Sequence, residues 1–595
     1  MAIECTVFSW HWRKLVAPTL LACILLYAVL LRLDALFKSY GPYDHPRWLA
    51  AMQPSVRAAG ARLTPDWQWR RVAEPYVGGD PINYLKFARE MRHFYAAHVR
   101  EPMFPAATRL GLMLTDDADV GVSITSIAFA LLTLVATYAL GSQVASPAAG
   151  LAAAAALALD QSAVGWSIGG WRDELFAFFA ISCAWAWIRF HRRPGNANAV
   201  IAGVLSGGAC LTRITSIALV APAIIWLLAT HSLPRRNATR QTARRRDIRR
   251  PLGLAIGIMT ALVAPFLINC AIATGDPLYA INNHTDFYLR REGAPVTPIS
   301  AVSYSIDKFR ARPIAAMDNA MLGVVVYPFS NKWVGLDEWL PGLGTTLACL
   351  AIAGLVAWLF QPEGRLLVAM FFGSLVPFSM TWTVLGGAEW RLTLFAYAFY
   401  LVAAFWLVDR SVRLVRATKT HGIATTIVPN GTRAALRPIA IVLAMLAFGV
   451  VWTFAMPYAV AREALTTDAP ATIMARHRDR WFFADGWSGP RTTGNVTTRS
   501  TTEAIGTLEL YFPDARAYEL ILRIDPADPV SNRQQKVRVS LGEHKLDDLD
   551  LTWNPERIGE YRLSIPAGIA TPGVNRLVLH SDANINFWYL RVIPQ

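Results

Sequence analysis

The chain has 595 residues, 54% of them hydrophobic and 17% charged, with a mean hydropathy of +0.32. These values exclude a disordered chain and argue against an ordinary soluble enzyme. The formal net charge of +15 would suit a nucleic-acid binder, but its placement along the chain gives it another use.

Long apolar runs mark a polytopic membrane protein. The first, 15–37, is too long for a signal-peptide core and lacks a small-residue cleavage site, so it reads as an uncleaved helix. Further runs follow at 122–141, 147–164, 173–190, 252–274, 344–361, 365–386, 392–408 and 438–458. The stretch 198–230 has Arg213 in its middle. It reads as two short helices, 198–211 and 214–230, that turn inside the bilayer, because at ~1.5 Å per residue neither crosses a ~30 Å core. That makes about eleven helices. The segment 231–250 carries eight Arg and one Asp, and 409–437 and 189–198 are also basic. With the N-terminus and the 361–365 loop they account for the whole net charge, and all five fall on one side, the cytoplasmic one. The segments 38–121, 275–343 and 459–595 are then external. The six cysteines (Cys5, Cys23, Cys183, Cys210, Cys270, Cys349) form no CxxC and read as small buried hydrophobes.

From about residue 480 the pattern changes. Runs at 506–512, 518–524, 536–541, 559–565, 575–580 and 587–592 alternate apolar and polar residues between Pro, Gly, Asp and Asn. Short strands at this spacing predict an all-β jelly roll or β-sandwich. The organisation is therefore a transmembrane domain over 1–458 with large external loops 38–121 and 275–343, a linker over 459–479, and an extracytoplasmic β-sandwich over 480–595. The phrases Tyr561-Arg562-Leu563-Ser564-Ile565 and Pro572-Gly573-Val574-Asn575 resemble galactose-binding jelly rolls, which makes the last domain a candidate carbohydrate-binding module; a purely structural domain is the alternative.

Ionisable residues in or beside the predicted spans are the candidates for chemistry. Asp80 follows Gly78-Gly79 and precedes Pro81, a sequence that also suits a helix N-cap. The helix after it has Tyr84, Phe87, Ala88 and Met91 on one face and Lys86, Arg89 and Glu90 on the other, as for a helix lying on a membrane surface. Asp173 and Glu174 open a transmembrane helix from the external side, where acids are favourable on dipole grounds alone. Glu389-Trp390-Arg391 forms a third external site. Arg213 is the fourth, since an intramembrane Arg needs a partner, and guanidinium binds phosphate bidentately.

The order of these motifs resembles the GT-C superfamily of polyprenyl-phosphate-sugar-dependent membrane glycosyltransferases, including lipid A aminoarabinose transferases and protein O-mannosyltransferases. The resemblance covers roughly 15–410. It is carried by Asp80, Tyr84 and Ala88-Arg89-Glu90-Met91, by the turn Glu101-Pro102-Met103-Phe104-Pro105, and by Leu211-Thr212-Arg213. Pro265 to Asn269, Gly275-Asp276-Pro277 and Glu389-Trp390-Arg391 add to it. Three features depart from the family pattern. Asp80 is followed by Pro rather than Glu, the stretch 38–77 looks inserted, and the turn has one Pro before Met103. Asp44 is accordingly an alternative base.

The resemblance implies a glycosyltransferase that moves a sugar from a polyprenyl-phosphate donor to a hydroxyl of a glycan, glycolipid or protein, by inverting single displacement. Asp80 would be the base, and Asp173 or Glu174 would orient the acceptor or help hold a divalent cation such as Mg or Mn. Arg213 and Arg391, with Lys86 and Arg89, would bind the donor phosphate. Tyr84, Glu389, Asn282, His284 and Tyr288 would contact substrate; His284 alone is more often a structural residue. The implied location is a bacterial inner membrane, with the N-terminus cytoplasmic and no nucleic-acid partner. The competing function is a transporter or flippase of lipid-linked glycans, against which stand the absence of repeated halves and the gathering of acids in one outer plane. A non-enzymatic glycan-binding scaffold is the third.

Overall fold

A computed structural model describes residues 2–40, 46–67, 79–232, 248–291, 295–296, 299–322, 336, 339–379, 394–421, 431–476, 478–493, 496–527, 535–551 and 559–595. Asp44, Glu389 and Arg391 lie outside the described residues, and of Tyr288 only the backbone, within a helix, is described. The expected architecture is found: a helical region followed by an all-β one. Contacts divide the chain into two units. The first comprises Met1–Val302 and Ala320–Val442, the second Ser303–Asn319 and Leu443–Gln595.

In the first unit, α1 (Ala2–Tyr40) and α2 (Arg47–Leu63) precede two short helices, α3 (Asp80–Glu90) and α4 (Met103–Leu114). Next come α5 (Val120–Val144), α6 (Pro147–Leu159), α7 (Gln161–Ile168) and α8 (Asp173–Arg192). The helices α9 (Asn196–Thr212), α10 (Ile217–Ser232), α11 (Arg249–Thr274) and α12 (Tyr279–Arg291) follow. Within the described residues each expected span falls on a helix or helix pair; 380–386 and 392–393 of two of them lie outside the described residues. Three stretches, Leu15–Tyr40, Val120–Val144 and Arg249–Thr274, are long and apolar enough to cross a membrane alone, and two bent pairs pass that test together.

One bent pair corrects the reading of 147–164 as a single straight span: α6 and α7 meet at 64°. The cause is Asp160. Its Oδ1 accepts from the Ala163 backbone N–H at 2.8 Å, capping α7, and its Oδ2 accepts from the Tyr397 hydroxyl at 3.2 Å. The short pair around Arg213 is present as read. Arg213 is extended (φ −147°, ψ 113°) and ends α9, and a 3-10 turn over Ile214–Ser216 leads into α10. Lipid tails give no hydrophobic drive for helix pairing, so close approach matters. At Gly203 a Cβ would lie 2.6 Å from the Ala255 carbonyl of α11, so only glycine allows that contact. Of the cysteines, Cys183, Cys210 and Cys270 are buried as expected, whereas Cys23 and Cys349 are exposed on helices.

The second unit gathers α13 (Ala301–Ala311) from Ser303 onward, most of α14 (Pro313–Met321), the end of the last helix (Gly431–Thr466) and ten strands. Glu463 accepts from the backbone N–H groups of Ile314 and Ala315, both at 2.8 Å, and so caps the N-terminus of α14. Asp318 accepts from Arg478 at 2.6 and 2.8 Å and from the Trp452 indole at 3.2 Å. The strands form two antiparallel sheets. One has the order β2 (Arg491–Thr493), β3 (Val496–Ser500), β10 (Ile585–Pro594), β5 (Tyr518–Pro526), β8 (Glu560–Ile565), with β1 (Ala471–Met474) also on β10; the other runs β4 (Ile505–Phe512), β9 (Gly573–Ser581), β6 (Gln535–Leu541), β7 (His544–Leu551). Alternation places Val537, Val539 and Leu541 of β6 (Gln535–Leu541), and Leu520, Leu522 and Ile524 of β5 (Tyr518–Pro526), in one core. All six expected strands are present.

Candidate active site

The site is built from four separate segments of the first unit. The first begins at Gly79, whose φ of 78° is in the left-handed region that glycine tolerates. Gly79, not Asp80, is the N-cap of α3, and no side chain caps it. The N-cap reading of Asp80 is thereby replaced: its carboxylate sits in the first turn and reaches Arg100. Oδ1 of Asp80 accepts from Nη2 of Arg100 at 2.7 Å.

Arg100 makes a second contact, 2.7 Å from Nε2 of His284 on α12. A guanidinium only donates, so Nε2 accepts, and Nδ1, 2.8 Å from the Ala280 carbonyl, carries the proton. The imidazole is neutral. Burial, and then the Arg100 and Arg172 charges, push its pKa down to about 4. Tyr84, one turn after Asp80, is fully buried and packs edge-on against Phe104 at 4.9 Å. Arg100 stands 5.9 Å from the centre of its ring. Among the described residues the Tyr84 hydroxyl has no hydrogen-bond partner, and burial pushes the phenol up to about 12.

The next residue, Glu101, is 5% exposed. Its Oε2 accepts from Nη1 of Arg172 at 2.6 Å, and its Oε1 from the Ile214 backbone N–H at 2.9 Å. Burial alone would raise its pKa, but Arg172 and the Ile214 N–H hold it below the ordinary value. Arg172 is raised in turn: burial opposes its charge, and the surrounding Tyr84 phenol and the Glu101, Asp80 and Asp173 carboxylates outweigh that. One carboxylate thus ties the α3–α4 connection to the α7–α8 turn and to the break between α9 and α10, where it supplies the acceptor that a helix start would otherwise lack.

Asp173 and Arg213 form a buried ion pair, and the Arg213 guanidinium lies 5.3 Å from the Phe176 ring centre. Arg213, expected to need a partner, is buried and has one. The turn that presents Asp173 depends on Gly170, at φ +73°, where a Cβ would stand 2.8 Å from a Val122 methyl.

The structure therefore brings Asp80, Tyr84, Asp173, Arg213 and His284 into one network, with Arg100, Glu101 and Arg172 as the links. Those three links were not read as site residues. Their signal was present, in charges set directly against the apolar Pro102-Met103-Phe104 turn and the Gly169-Gly170-Trp171 turn. Other candidates lie elsewhere. Lys86 is exposed. Arg89 is held at the surface by Asp117 (3.1 Å) and Asp119 (2.8 Å). Asn282 staples its own loop, donating to Asp276 at 2.8 Å and accepting from the Ala301 N–H at 3.0 Å. Glu174 lines a separate internal cavity with Arg32.

Among the described residues no three His, Cys, Asp or Glu side chains are grouped to hold a metal ion. Asp80, Glu101 and Asp173 each carry a guanidinium partner. In this arrangement the donor set does not fit the divalent cation considered above, and no step is routed through one.

Residues 99–268 match the family model Dolichyl-phosphate-mannose-protein mannosyltransferase. The matched segment contains Arg100, Glu101, Arg172, Asp173 and Arg213, while Asp80, Tyr84 and His284 lie outside it. This agrees with the resemblance read from the motifs over that part of the chain. Comparison with curated proteins gives no match. Among solved structures, the archaeal oligosaccharyltransferase AglB from Archaeoglobus fulgidus, in complex with an inhibitory peptide and a dolichol-phosphate, is similar at 15% identity and a TM-score of 0.39. That match covers 76% of this chain and 56% of the other, so the chain spans little more than half of AglB. The arabinosyltransferase EmbB from Mycobacterium smegmatis is similar at 14% identity and a TM-score of 0.24, over 92% of this chain and 67% of the other. The C-terminal CBM6 of LamC from Zobellia galactanivorans matches over 21% of this chain and 98% of its own, at 13% identity and a TM-score of 0.16.

Proposed function

We propose that the protein is a membrane glycosyltransferase that takes a sugar from a polyprenyl-phosphate donor on the extracytoplasmic side and transfers it to a hydroxyl of a glycan, glycolipid or protein. The observation that carries this reading is the network itself: an acid at a helix start, a guanidinium bridging it to a neutral imidazole, and a buried Asp–Arg pair at a broken helix, with Arg100, Asp173 and Arg213, though not Asp80 or His284, inside the segment that matches the mannosyltransferase family model. The acceptor hydroxyl gives its proton to Asp80 as its oxygen bonds to the anomeric carbon. The bond from that carbon to the phosphate oxygen breaks, its electron pair leaving with the polyprenyl phosphate, and the anomeric configuration inverts. Arg100, Arg172 and Arg213 stabilise the charge that develops on the leaving phosphate, in a site where water is scarce and such charges act strongly. Asp173 holds Arg213 in place. Arg391 is a further candidate for the phosphate and Tyr84 for the sugar. The β-unit presents or binds the glycan acceptor.

The test uses purified full-length protein in lipid, given radiolabelled polyprenyl-phosphate sugars and a membrane extract as acceptor. Label moves from one donor into a product, and Asp80→Ala lowers this by about 10²–10⁴-fold at normal expression, the range a positioned general base contributes. Full activity in Asp80→Ala would remove Asp80 from the role of base. A wild-type protein inert with every donor would overturn the activity.

A further inference from the structure

Beneath the network, in the helix interior, lies a second polar constellation that glycosyl transfer does not use. Arg32 of α1 and Glu174 of α8 are 1% and 4% exposed. They line a common cavity of ≈ 10 Å³ together with Thr133 and the apolar side chains of Leu157, Ala177 and Leu394. Among the described residues, Nε of Arg32 and Oε1 of Glu174 are both buried without a hydrogen-bond partner. Nη1 of Arg32 donates to the carbonyls of Ala28 at 3.2 Å and Ala158 at 3.5 Å, the latter at the C-terminal end of α6, where a cation is favoured.

A buried donor and a buried acceptor each left unmade destabilise a fold, the more so when charged. Here the two residues that carry this donor and this acceptor line the same small space. A space of about 10–15 Å³ is what one water molecule requires, and such a water needs at least two polar partners. Both conditions are met, with the Thr133 hydroxyl also on the wall.

We propose that this cavity binds a single water molecule that accepts from Nε of Arg32 and donates to Oε1 of Glu174. The result is a water-bridged ion pair that locks α1 to the first turn of α8. Asp173 is the neighbour of Glu174 on that turn, so the bridge makes Glu174 and Arg32 positioning residues for the Asp173–Arg213 pair. The positioning role rests on the glycosyl-transfer reading; the water site does not.

The experiment uses the full chain in nanodiscs. R32M and E174M each strand one charge in an apolar interior. Each lowers the unfolding temperature and reduces transfer by at least about tenfold through kcat. The double variant R32M/E174M removes both charges and regains most of the stability and of the transfer. If E174M stays inactive when R32M is added, Glu174 acts on substrate and the positioning role is overturned. A density map that shows ordered water elsewhere but an empty cavity here overturns the water site. Both the map and the stability measurements remain decisive even if the wild type transfers no sugar, which separates this failure from that of the proposed activity.

Discussion

Glu101 provides the sharpest test of how the site is held together. Replacing it with Ala removes two contacts at once, the 2.6 Å pair with Arg172 and the 2.9 Å acceptor for the Ile214 N–H. Removing one partner of a buried ion pair destabilises by about 3–5 kcal/mol, and a buried N–H left unmade by about 1–3 kcal/mol. The two overlap, because the same relaxation relieves both, so the expected loss for Glu101→Ala is about 3–5 kcal/mol in total. Glu101→Gln keeps an acceptor for Ile214 and loses only the charge, so it should cost less. Glu101→Gln combined with Arg172→Met leaves no stranded charge and should be more stable than the sum of the single changes by about 2 kcal/mol. The assay is unfolding in one fixed detergent across the four variants, at low and high salt. Because the pair is buried, the ordering should survive high salt. The sign with pH follows from the lowered Glu101 pKa. Its contribution is present above the unfolded-state value and is lost as pH falls through the folded one, so Glu101→Gln should flatten the acid limb. A Glu101→Ala protein within about 1 kcal/mol of wild type, or strictly additive variants, would refute the argument.

Two further tests concern titration. With its pKa pushed down to about 4, His284 stays neutral at working pH, and its contribution to stability is lost as pH falls from its unfolded value of about 6.5 towards 4. His284→Asn should remove this slope, and transfer by the wild type should show no limb between pH 5 and 8 from this residue; a limb that His284→Asn abolishes would contradict the neutral assignment. In the β-unit, burial pushes Asp479 up to about 7 against the nearby arginine charges. The stability it contributes is present at low pH and lost as pH rises through about 7, so Asp479→Asn should stabilise the β-unit by about 1–3 kcal/mol at pH 8 and much less at pH 5. Equal effects at both pH values would show that burial does not govern this group.

How far the sequence can be read depends on whether the cause is local. The helices and the six long strands follow from apolar runs and alternation, which are local. The strand β7 (His544–Leu551) was missed because His544-Lys545-Leu546-Asp547-Asp548 is polar on both faces, and β1 (Ala471–Met474) because it pairs with β10 (Ile585–Pro594), over a hundred residues away. The same division runs through the site. Asp80, Asp173 and Arg213 stand out as charges at helix ends or inside an apolar run. That Glu101 meets both Arg172 and the backbone of Ile214, or that Arg100 bridges Asp80 to His284, depends on four segments spread over two hundred residues. The bend at Asp160 is legible only afterwards, since its acceptor role needs Tyr397 from a helix far downstream.

The charge balance of the network bears on the proposed reaction. Asp80, Glu101 and Asp173 offset Arg100, Arg172 and Arg213, and His284 is neutral. A polyprenyl-phosphate sugar adds one negative charge as a phosphodiester. On transfer the leaving phosphate gains a second, and if the acceptor's proton went to bulk water the cluster would carry that extra charge in a poorly solvated place, at a cost of several kcal/mol. If Asp80 takes the proton, its own charge disappears as the phosphate gains one, and the total is unchanged. Arg100, held at 2.7 Å by Asp80 beforehand, loses its counter-ion at that moment and can turn its donors to the phosphate. Its stabilisation is then larger in the transition state than in the ground state, which is the condition for raising kcat. Arg100→Met should therefore lower kcat by about 10²–10³-fold and change KM little, as when one oxyanion donor is removed. A variant that raises KM with kcat intact would make Arg100 a ground-state anchor, and the proton would then have to leave Asp80 by another route.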